Sequence, residues 1–228
     1  MDIGIIGSGQ IGGTLARRLT ELGHRVSVAN SRGPASLTEL AADTGATPAT
    51  VEDAATAKDI VIVSIPQAAV LKLHPNLLTE STAIIVDTGN YYPARDGNIE
   101  DIEGGMNESE WVARSLGRPV IKAFNNIAAN SLATRGVAAG TPGRICLPVA
   151  GDDPRAKEIV IDLIDELGFD GADAGTLVDS WRQQPCTPVY AQDFDAEAVE
   201  TALQNADPDK VASYRAAADE AARAWFQN

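Results

Sequence analysis

Three glycines near the start of the chain are the residues best placed to do chemistry. Gly7, Gly9 and Gly12 follow a short apolar run, Asp2–Ile6, and precede an amphipathic segment. In a strand–turn–helix unit, the first glycine permits the tight turn, the second lets a pyrophosphate approach the backbone, and the third allows close helix–strand packing. The N–H groups and positive dipole end of the helix would then face the phosphates. The predicted dinucleotide contacts are Gly7, Ser8, Gly9, Gln10, Ile11 and Gly12.

The polar residues after the second apolar run indicate which dinucleotide binds. A site that prefers NAD usually has Asp or Glu at the end of this strand, where the carboxylate accepts hydrogen bonds from the ribose 2′-hydroxyl. Here the chain reads Asn30, Ser31 and Arg32, with no carboxylate. These groups can donate to a 2′-phosphate, and the planar guanidinium of Arg32 suits phosphate. The sequence therefore predicts NADP(H) rather than NAD(H).

Apolar runs alternate with helical patterns along the chain, which predicts an α/β fold with a Rossmann-type, doubly wound, mostly parallel sheet. Strands are predicted at residues 2–6, 26–29, 59–64, 82–87, 118–124, 145–150 and 169–174. Ligands of such sheets bind at the carboxyl ends of the strands. We therefore expect residues that follow three of these strands to line the cofactor site: Ser64, Ile65, Pro66, Asn90, Asn125 and Ile127.

Helical periodicity places the remaining elements. Helices are predicted at residues 11–22, 34–43, 51–57, 66–78, 107–116, 128–134 and 154–167. Residues 91–105 lack periodicity, so we expect a long loop there, of the kind that often forms a lid. A structured loop at 181–190 and alanine-rich helices at 195–205 and 208–227 should follow. We expect an NADP-binding domain at residues 1–175, with a C-terminal loop and helices at 176–228 packed on it as one compact unit.

The composition excludes several kinds of partner. The formal charge of −14 argues against nucleic acid or an anionic membrane surface. No apolar run approaches the roughly 20 residues that span a bilayer. Because the first strand begins at once, we expect no signal peptide and a cytoplasmic protein. Cys146 and Cys186 form no metal-ligand spacing, so we expect no metal site and two buried free thiols.

The sequence contains no clear acid–base centre. His24 stands in a turn before the second strand and His74 late in a predicted helix, so neither is expected to act in catalysis. The catalytic candidates are Lys122 and Asn125, which have the Lys-x-x-Asn-Asn spacing of β-hydroxyacid dehydrogenases, where the lysine transfers a proton. Here that motif ends a predicted strand, and too little chain follows for the helical substrate domain of those enzymes. We therefore prefer a lysine that faces solvent or a carboxylate.

The missing acid–base centre favours one kind of redox chemistry. Oxidation of an alcohol moves a proton along with the hydride and normally needs a positioned base. Hydride exchange between two redox cofactors needs mainly that two rings stack closely, because the cofactors carry the chemistry. The residues therefore favour hydride exchange between NADPH and a second cofactor.

Six segments of the sequence resemble the deazaflavin-dependent NADP oxidoreductases (reduced coenzyme F420:NADP oxidoreductase) and the related reductase domain of the six-transmembrane metalloreductases. The segments are residues 4–12, 30–32, 61–66, 90–93, 122–125 and 173–175. The resemblance implies that NADPH lies across residues 7–12 and that Asn30, Ser31 and Arg32 bind its 2′-phosphate. It also implies a second ring stacked on the nicotinamide near residues 125–127, and a homodimer.

The second substrate is less constrained by the sequence. The deazaflavin enzymes place a histidine where Asn125 stands, and their glycine- and methionine-rich C-terminal end is absent here. For coenzyme F420, FAD or FMN we expect a site that includes Tyr92, with Trp181 as its wall and Arg182 as an anion anchor. Two alternatives stay open: a small-substrate dehydrogenase that uses Lys122 as its acid–base group, and a non-catalytic NADPH-binding sensor.

Overall fold

The computed structural model describes residues 1–226 and contains a six-stranded parallel sheet. Its strands are β1 (Asp2–Ile6), β2 (Arg25–Ala29), β3 (Thr47–Pro48), β4 (Ile60–Val63), β5 (Ile84–Asp87) and β6 (Ile121–Lys122). The order across the sheet is β3-β2-β1-β4-β5-β6, with every adjacent pair parallel. This is the strand order of a Rossmann fold, which binds its ligand where the order reverses, beside β1 and β4. The predicted fold class is confirmed.

A two-stranded parallel sheet continues from the end of β6. It consists of β7 (Cys146–Val149) and β8 (Asp170–Asp173). The backbone of Lys122 donates to Ala150 at 2.8 Å and accepts from it at 3.0 Å, which forms an antiparallel bridge between the two sheets. Within the described chain β7 has β8 as its only strand partner, an environment that tolerates the missing N–H of Pro148.

Helices cover both sheets. They are α1 (Gln10–Glu21), α2 (Thr38–Thr44), α3 (Val51–Ala54), α4 (Gln67–Val70), α5 (Pro93–Asp96), α6 (Glu100–Glu103), α7 (Glu108–Leu116), α8 (Ala129–Thr134), α9 (Pro154–Glu166), α10 (Ala196–Gln204) and α11 (Val211–Phe226). Short 3-10 helices occur at Pro34–Leu37, Leu177–Gln183 and Pro208–Lys210. None of these described helices has both the length and the apolar character needed to cross a membrane.

The core consists of two apolar layers, one on each face of the large sheet. Along β4 the side chains alternate between the layers: Ile60 and Ile62 pack with α1, whereas Val61 and Val63 pack with Trp111 of α7. Because helices cover both faces, every residue of this strand is buried. This is why the central strands appear in the sequence as continuous apolar runs rather than as alternating patterns.

The helix predicted at residues 66–78 is wrong beyond Val70, where α4 ends. The chain continues in turns, in which the N–H of Lys72 donates to the carbonyl of Ala69 at 3.0 Å. Pro75 has no N–H and disfavours a helical conformation at the preceding His74. The apolar residues of this segment are spaced as in a helix, yet Leu71 is 65% exposed.

The long loop predicted at residues 91–105 is also wrong, because the segment contains α5 and α6 and is anchored to the core. The hydroxyl of Tyr91 donates to the carbonyl of Gly97 at 2.9 Å and accepts from the N–H of Ile99 at 3.1 Å. The side chains of Tyr91 and Ile102 are buried. Two single-turn helices with irregularly spaced anchors give no periodic signal in the sequence.

The strand predicted at residues 118–124 is shorter than expected. Its ladder with β5 comprises Ile121 and Lys122. The backbone of Phe124 has a φ of 61°, a left-handed conformation outside the range of regular strands that residues other than glycine adopt at a cost. The chain therefore turns sharply before Asn125.

The residues after 175 pack on three parts of the preceding chain. The 3-10 helix Leu177–Gln183 contacts α7, α10 contacts β7 and β8, and α11 contacts α5. The carboxylate of Asp219 in α11 accepts from the N–H of Ala94 at 2.6 Å. The division of the chain at residue 175 stays a prediction, and position 227 of the last predicted helix lies outside the described residues.

We expect Gly12→Ala to destabilise the protein much more than Gly9→Ala, which changes only the N-cap residue of α1. A Cβ on Gly12 would lie 2.0 Å from the carbonyl oxygen of Gly7, so α1 would have to move away from β1, and overpacking of this kind costs about 1–3 kcal/mol. A Cβ on Gly9 would meet no atom within 4 Å. Chemical denaturation of both variants measures the difference, and equal free energies of unfolding would contradict it.

Candidate functional site

The glycine turn after β1 leaves its backbone accessible. Gly7 has a φ of 121°, and its N–H donates to the carbonyl of Ala29 at 2.8 Å, which joins the ends of β1 and β2. Helix α1 begins at Gln10, with Gly9 at its N-cap and no acidic residue in its first turn. The open space beside Gly9 and the free N–H groups of the helix start fit the pyrophosphate of a dinucleotide.

The three polar residues after β2 lie beside this turn. The side-chain amide of Asn30 donates to the hydroxyl of Ser8 at 3.2 Å, and its oxygen accepts from the N–H of Arg32 at 2.9 Å. The side chain of Arg32 is exposed and forms no ion pair within the described chain. Its charge is therefore available to an anion that reaches this corner, where Ser31 is also exposed.

A groove of about 430 Å³ runs from the glycine turn past Arg32. Sequence reasoning missed three charged residues that line it, namely Arg17, Glu39 and Asp43. Arg17 donates to the backbone carbonyl of Asp43 at 3.0 Å, and its guanidinium lies 3.4 Å from the carboxylate. These residues reach the groove because α2 packs on α1. The carboxylates of Glu39 and Asp43 add negative charge near the predicted phosphate, and the guanidinium groups of Arg17 and Arg32 offset that charge.

The ends of β4 and β5 continue the same edge of the sheet. The N–H of Ser64 donates to the carbonyl of Ile6 at 2.8 Å, so Ser64 lies next to the glycine turn. The hydroxyl of Thr88 donates to that of Ser64 at 3.0 Å. Ser64 and Ile65 are half-buried and Pro66 is exposed, so all three can contact a ligand at this edge.

A cluster of three amides follows at the ends of β5 and β6. The side-chain nitrogen of Asn90 donates to the backbone carbonyl of Asn125 at 2.9 Å, and that of Asn125 donates to the side-chain oxygen of Asn90 at 3.0 Å. The side-chain nitrogen of Gln183 donates to the side-chain oxygen of Asn125 at 2.9 Å. The backbone carbonyl of Gln183 in turn accepts from the side-chain nitrogen of Asn125 at 2.6 Å. Backbone carbonyls only accept, so these contacts fix the orientation of Asn90 and Asn125.

The structure thus brings together the predicted residues Asn90 and Asn125 and adds Gln183, which sequence reasoning missed. Ile127, which we expected to line the cofactor site, is 6% exposed and belongs to the apolar core on the α1 face of the sheet. Asn126, which lies between Asn125 and Ile127 in the sequence, is buried. Neither of its side-chain polar atoms has a hydrogen-bond partner in the described chain.

Two tyrosine hydroxyls lie beside the amide cluster. The hydroxyl oxygens of Tyr92 and Tyr190 are 2.8 Å apart, and the side-chain nitrogen of Asn90 lies 3.3 Å from that of Tyr190. Burial raises the pKa of both hydroxyls, so both stay protonated at neutral pH and can donate hydrogen bonds. Tyr92 was expected in this region, whereas only tertiary packing reveals Tyr190.

Trp181 and Arg182 do not join this cluster. They line a separate groove of about 550 Å³, together with residues of β8 and α10. The guanidinium of Arg182 lies 3.3 Å from the carboxylate of Asp179 and 5.5 Å from the centre of the Trp181 ring. Their 3-10 helix directs Gln183, not these two residues, toward Asn125. The geometry therefore gives no support to Trp181 and Arg182 as second-site residues.

Lys122 is fully buried and faces a carboxylate, as we preferred. Its ammonium lies 3.1 Å from the carboxylate of Asp87 and donates to the backbone carbonyl of Gly89. The hydroxyl of Ser109 donates to the same carboxylate at 2.7 Å. Because the ammonium is enclosed, with no exposed surface, it cannot reach a substrate as an acid–base group.

The histidines and cysteines take no part in the site. His24 lies between the N-terminus and Glu166, at 3.0 Å from each, at the opposite edge of the sheet. His74 is exposed. Both thiols are free, and Cys146 is buried as expected, but Cys186 is exposed, so the expectation of two buried thiols was wrong.

Glu108 is a buried carboxyl behind the amide cluster. It accepts from the N–H of Tyr91 at 3.0 Å. Burial raises its pKa from 4.5 to about 7, although Lys122 and Arg215 act in the opposite direction and Asp87 in the same one. Between these two pKa values the folded protein binds more protons than the unfolded chain. The free energy of unfolding therefore falls as the pH rises through this range.

We expect Glu108→Gln to remove this loss of stability, since a neutral amide can still accept from Tyr91. The melting temperature of the variant relative to wild type should rise between about pH 5 and about pH 8. Glu110→Gln, a change at a half-buried position of the same helix, is the matched control and should follow wild type. Parallel pH profiles for Glu108→Gln and wild type would contradict the expectation.

Comparison with known proteins agrees with the geometry of the nucleotide edge. The family described as NADP oxidoreductase, coenzyme F420-dependent, matches residues 2–91. These residues contain β1 to β5, the glycine turn and the Asn30–Arg32 corner. The protein YjhV of Escherichia coli (strain K12) is 46% identical over 57 residues, which are 25% of this chain and 42% of that protein. The chain thus spans less than half of this curated relative.

Two solved structures cover most of the chain. The hypothetical protein SMa0349 from Sinorhizobium meliloti is 32% identical, with a TM-score of 0.72 over 85% of this chain and 95% of that one. A candidate F420-dependent NADP-reductase from Arthrobacter sp. FB24 is 26% identical, with a TM-score of 0.64 over 80% of this chain and 87% of that one. The glycine turn, the sheet order and these matches agree. Residues 2–91 therefore match the family described as NADP oxidoreductase, coenzyme F420-dependent, and most of the chain is similar in sequence and fold to both solved structures.

Proposed function

We propose that this oxidoreductase transfers hydride between NADPH and a second redox cofactor, either coenzyme F420 or a flavin. The observation that carries the proposal is the row of groups along one edge of the sheet. It runs from the Asn30–Arg32 corner through the open glycine turn to the amides of Asn90 and Asn125. The family match and the Arthrobacter protein of the same description support it.

The residues of this row suit NADPH from one end to the other. The N–H groups of the glycine turn would hold the pyrophosphate, and Asn30, Ser31 and Arg32 would bind the 2′-phosphate. When bound, NADPH supplies the hydride, while the protein supplies binding and orientation. Asn90, which is half-buried on the β5–β6 side of the edge, would orient the second ring, and the buried Asn125 would hold Asn90 in place.

The position of Lys122 favours hydride exchange between cofactors over a dehydrogenase with a lysine acid–base group. Such a group must come within hydrogen-bond reach of the substrate. The ammonium of Lys122 is instead held between Asp87 and the carbonyl of Gly89. A lysine in this position organises the strand ends and leaves proton transfer to other residues.

Steady-state assays of NADPH with oxidised coenzyme F420, FMN or FAD test the proposed function. We expect at least one of these acceptors to be reduced. Tight binding of NADPH without reduction of any of them, ferric chelates included, would contradict an enzyme of this kind and would favour an NADPH sensor. Capture of a stable protein partner by the NADPH-loaded chain would then strengthen the sensor interpretation.

We expect Arg32→Ala to weaken NADPH binding about 10- to 100-fold and to leave NADH binding unchanged. The guanidinium would form charge-assisted hydrogen bonds to the 2′-phosphate, worth about 1.5–3 kcal/mol, and NADH lacks that phosphate. Arg25→Ala is the matched control, because Arg25 is exposed and pairs with Asp2 at the other edge of the sheet. Tighter binding of NADH than NADPH by wild type would contradict the predicted preference.

The resemblance to the family also leads us to propose a homodimer in the cytoplasm. We further propose that residues 1–175 bind NADPH and that residues 176–228 complete the acceptor side, since Gln183 and Tyr190 come from the latter part. Sedimentation velocity tests the assembly, and a monomer at micromolar concentration would contradict it.

A further inference from the structure

We propose that Tyr190 is a catalytic residue of the acceptor site: its hydroxyl hydrogen-bonds the acceptor and delivers the proton that accompanies hydride transfer. The inference rests on the proposed function, because it assigns a role in the acceptor half of the same site. The feature that points to it is the contact between the hydroxyls of Tyr92 and Tyr190 beside Asn90.

With Tyr92 as the donor in the contact between the two hydroxyls, the hydrogen bonds around Tyr190 leave its own hydrogen available. A phenol hydroxyl has one hydrogen to donate and two lone pairs that accept. One lone pair faces the side-chain nitrogen of Asn90 at 3.3 Å. The same nitrogen donates to the backbone carbonyl of Asn125 at 2.9 Å, which fixes the orientation of the Asn90 amide. The other lone pair faces Tyr92 at 2.8 Å when Tyr92 is the donor. Tyr190 is only half-buried, so a ligand can accept the remaining hydrogen.

Backbone strain marks the same contact. Phe124, which precedes Asn125, and Ala191, which follows Tyr190, have φ values of 61° and 55°. Residues other than glycine rarely adopt this left-handed conformation. The two strained segments are joined, because the N–H of Ala191 donates to the carbonyl of Asn126 at 2.8 Å. Strain of this kind clusters at active sites, where the surrounding structure maintains it.

The partner hydroxyl of Tyr92 is held in place from two sides. The N–H of Tyr92 donates to the carboxylate of Asp96 at 3.1 Å. Its ring packs against Ala218 and Ala222 of α11. Since the ring of Tyr92 is fixed, its hydroxyl in turn fixes that of Tyr190.

The proposed step conserves atoms and charge. An electrophilic carbon of the acceptor, conjugated to a C=N or C=O group, receives hydride from NADPH. The π electrons of that group move onto its nitrogen or oxygen, which takes a proton as the O–H bond of Tyr190 breaks. Water then returns a proton to the Tyr190 oxygen, directly or through Tyr92. Overall, NADPH and one proton reduce the acceptor by two electrons and leave NADP⁺.

Single-turnover oxidation of NADPH by oxidised coenzyme F420, and separately by FMN, tests Tyr190→Phe. We expect the rate to fall about 10²- to 10⁴-fold, as for loss of a general acid, while the Kd for NADPH and the melting temperature stay near wild type. Tyr214→Phe is the matched control, because Tyr214 lies in α11 and its hydroxyl accepts from the backbone N–H of Asp207. A Tyr190→Phe rate within about threefold of wild type would overturn the proposal.

A second readout does not depend on turnover. In protein labelled with carbon-13 at tyrosine Cζ, the resonance absent from Tyr190→Phe identifies Tyr190. We expect oxidised coenzyme F420 or FMN to shift it in the NADP⁺ complex, and no shift with either probe would overturn the proposal. Wild type that shifts the resonance without turnover would contradict the proposed function while supporting Tyr190 as an acceptor contact. If wild type turns over and Tyr190→Phe does so at a similar rate, only the proposed role of Tyr190 is contradicted, and the proposed function stands.

Discussion

The buried ion pair of Asp87 and Lys122 is the interaction on which the proposed acceptor side of the site depends. Charges removed from water are costly unless they are paired and their remaining hydrogen-bonding positions are filled. Here Asp87 also accepts from the N–H of Gly89 at 2.8 Å and from Ser109 at 2.7 Å, and Lys122 also donates to the carbonyl of Gly89. Because Gly89 is held at both its N–H and its carbonyl, the direction in which the chain leaves β5 is fixed, and Asn90 with it.

The same lysine connects the two sheets, and the chain beyond it is strained. The backbone of Lys122 is bridged to Ala150 beside β7, and two residues later Phe124 takes a left-handed conformation. Such a conformation costs about 1–3 kcal/mol. The hydrogen bonds that Asn125 makes to Asn90 and Gln183 offset that cost. The strained turn and the amide cluster therefore depend on each other, and neither would form as an independent local structure.

The nucleotide half of the site could be predicted from sequence because its determinants are local. The glycines, the helix start and the Asn30–Arg32 corner occupy one strand–helix–strand unit of consecutive residues. The acceptor half could not, because its contacts join distant parts of the chain: Tyr190 is 98 positions from Tyr92, and Gln183 is 58 from Asn125. In a 3-10 helix each residue turns about 120°, so sequence position alone could not show that Gln183 faces inward while Trp181 does not.

The family match ends at residue 91, whereas Asn125, Gln183 and Tyr190 all follow it. The match therefore covers the nucleotide edge and does not extend to the residues proposed for the acceptor. In this chain they are amides and phenols, which are uncharged at neutral pH and offer hydrogen-bond donors. Such groups suit the neutral C=O and C=N atoms of a ring rather than a phosphate or a carboxylate. Arg182, the cation expected beside them, lies in another groove. We therefore expect recognition of the acceptor to depend on its ring, and electrostatic recognition of an anion to be confined to the nucleotide half.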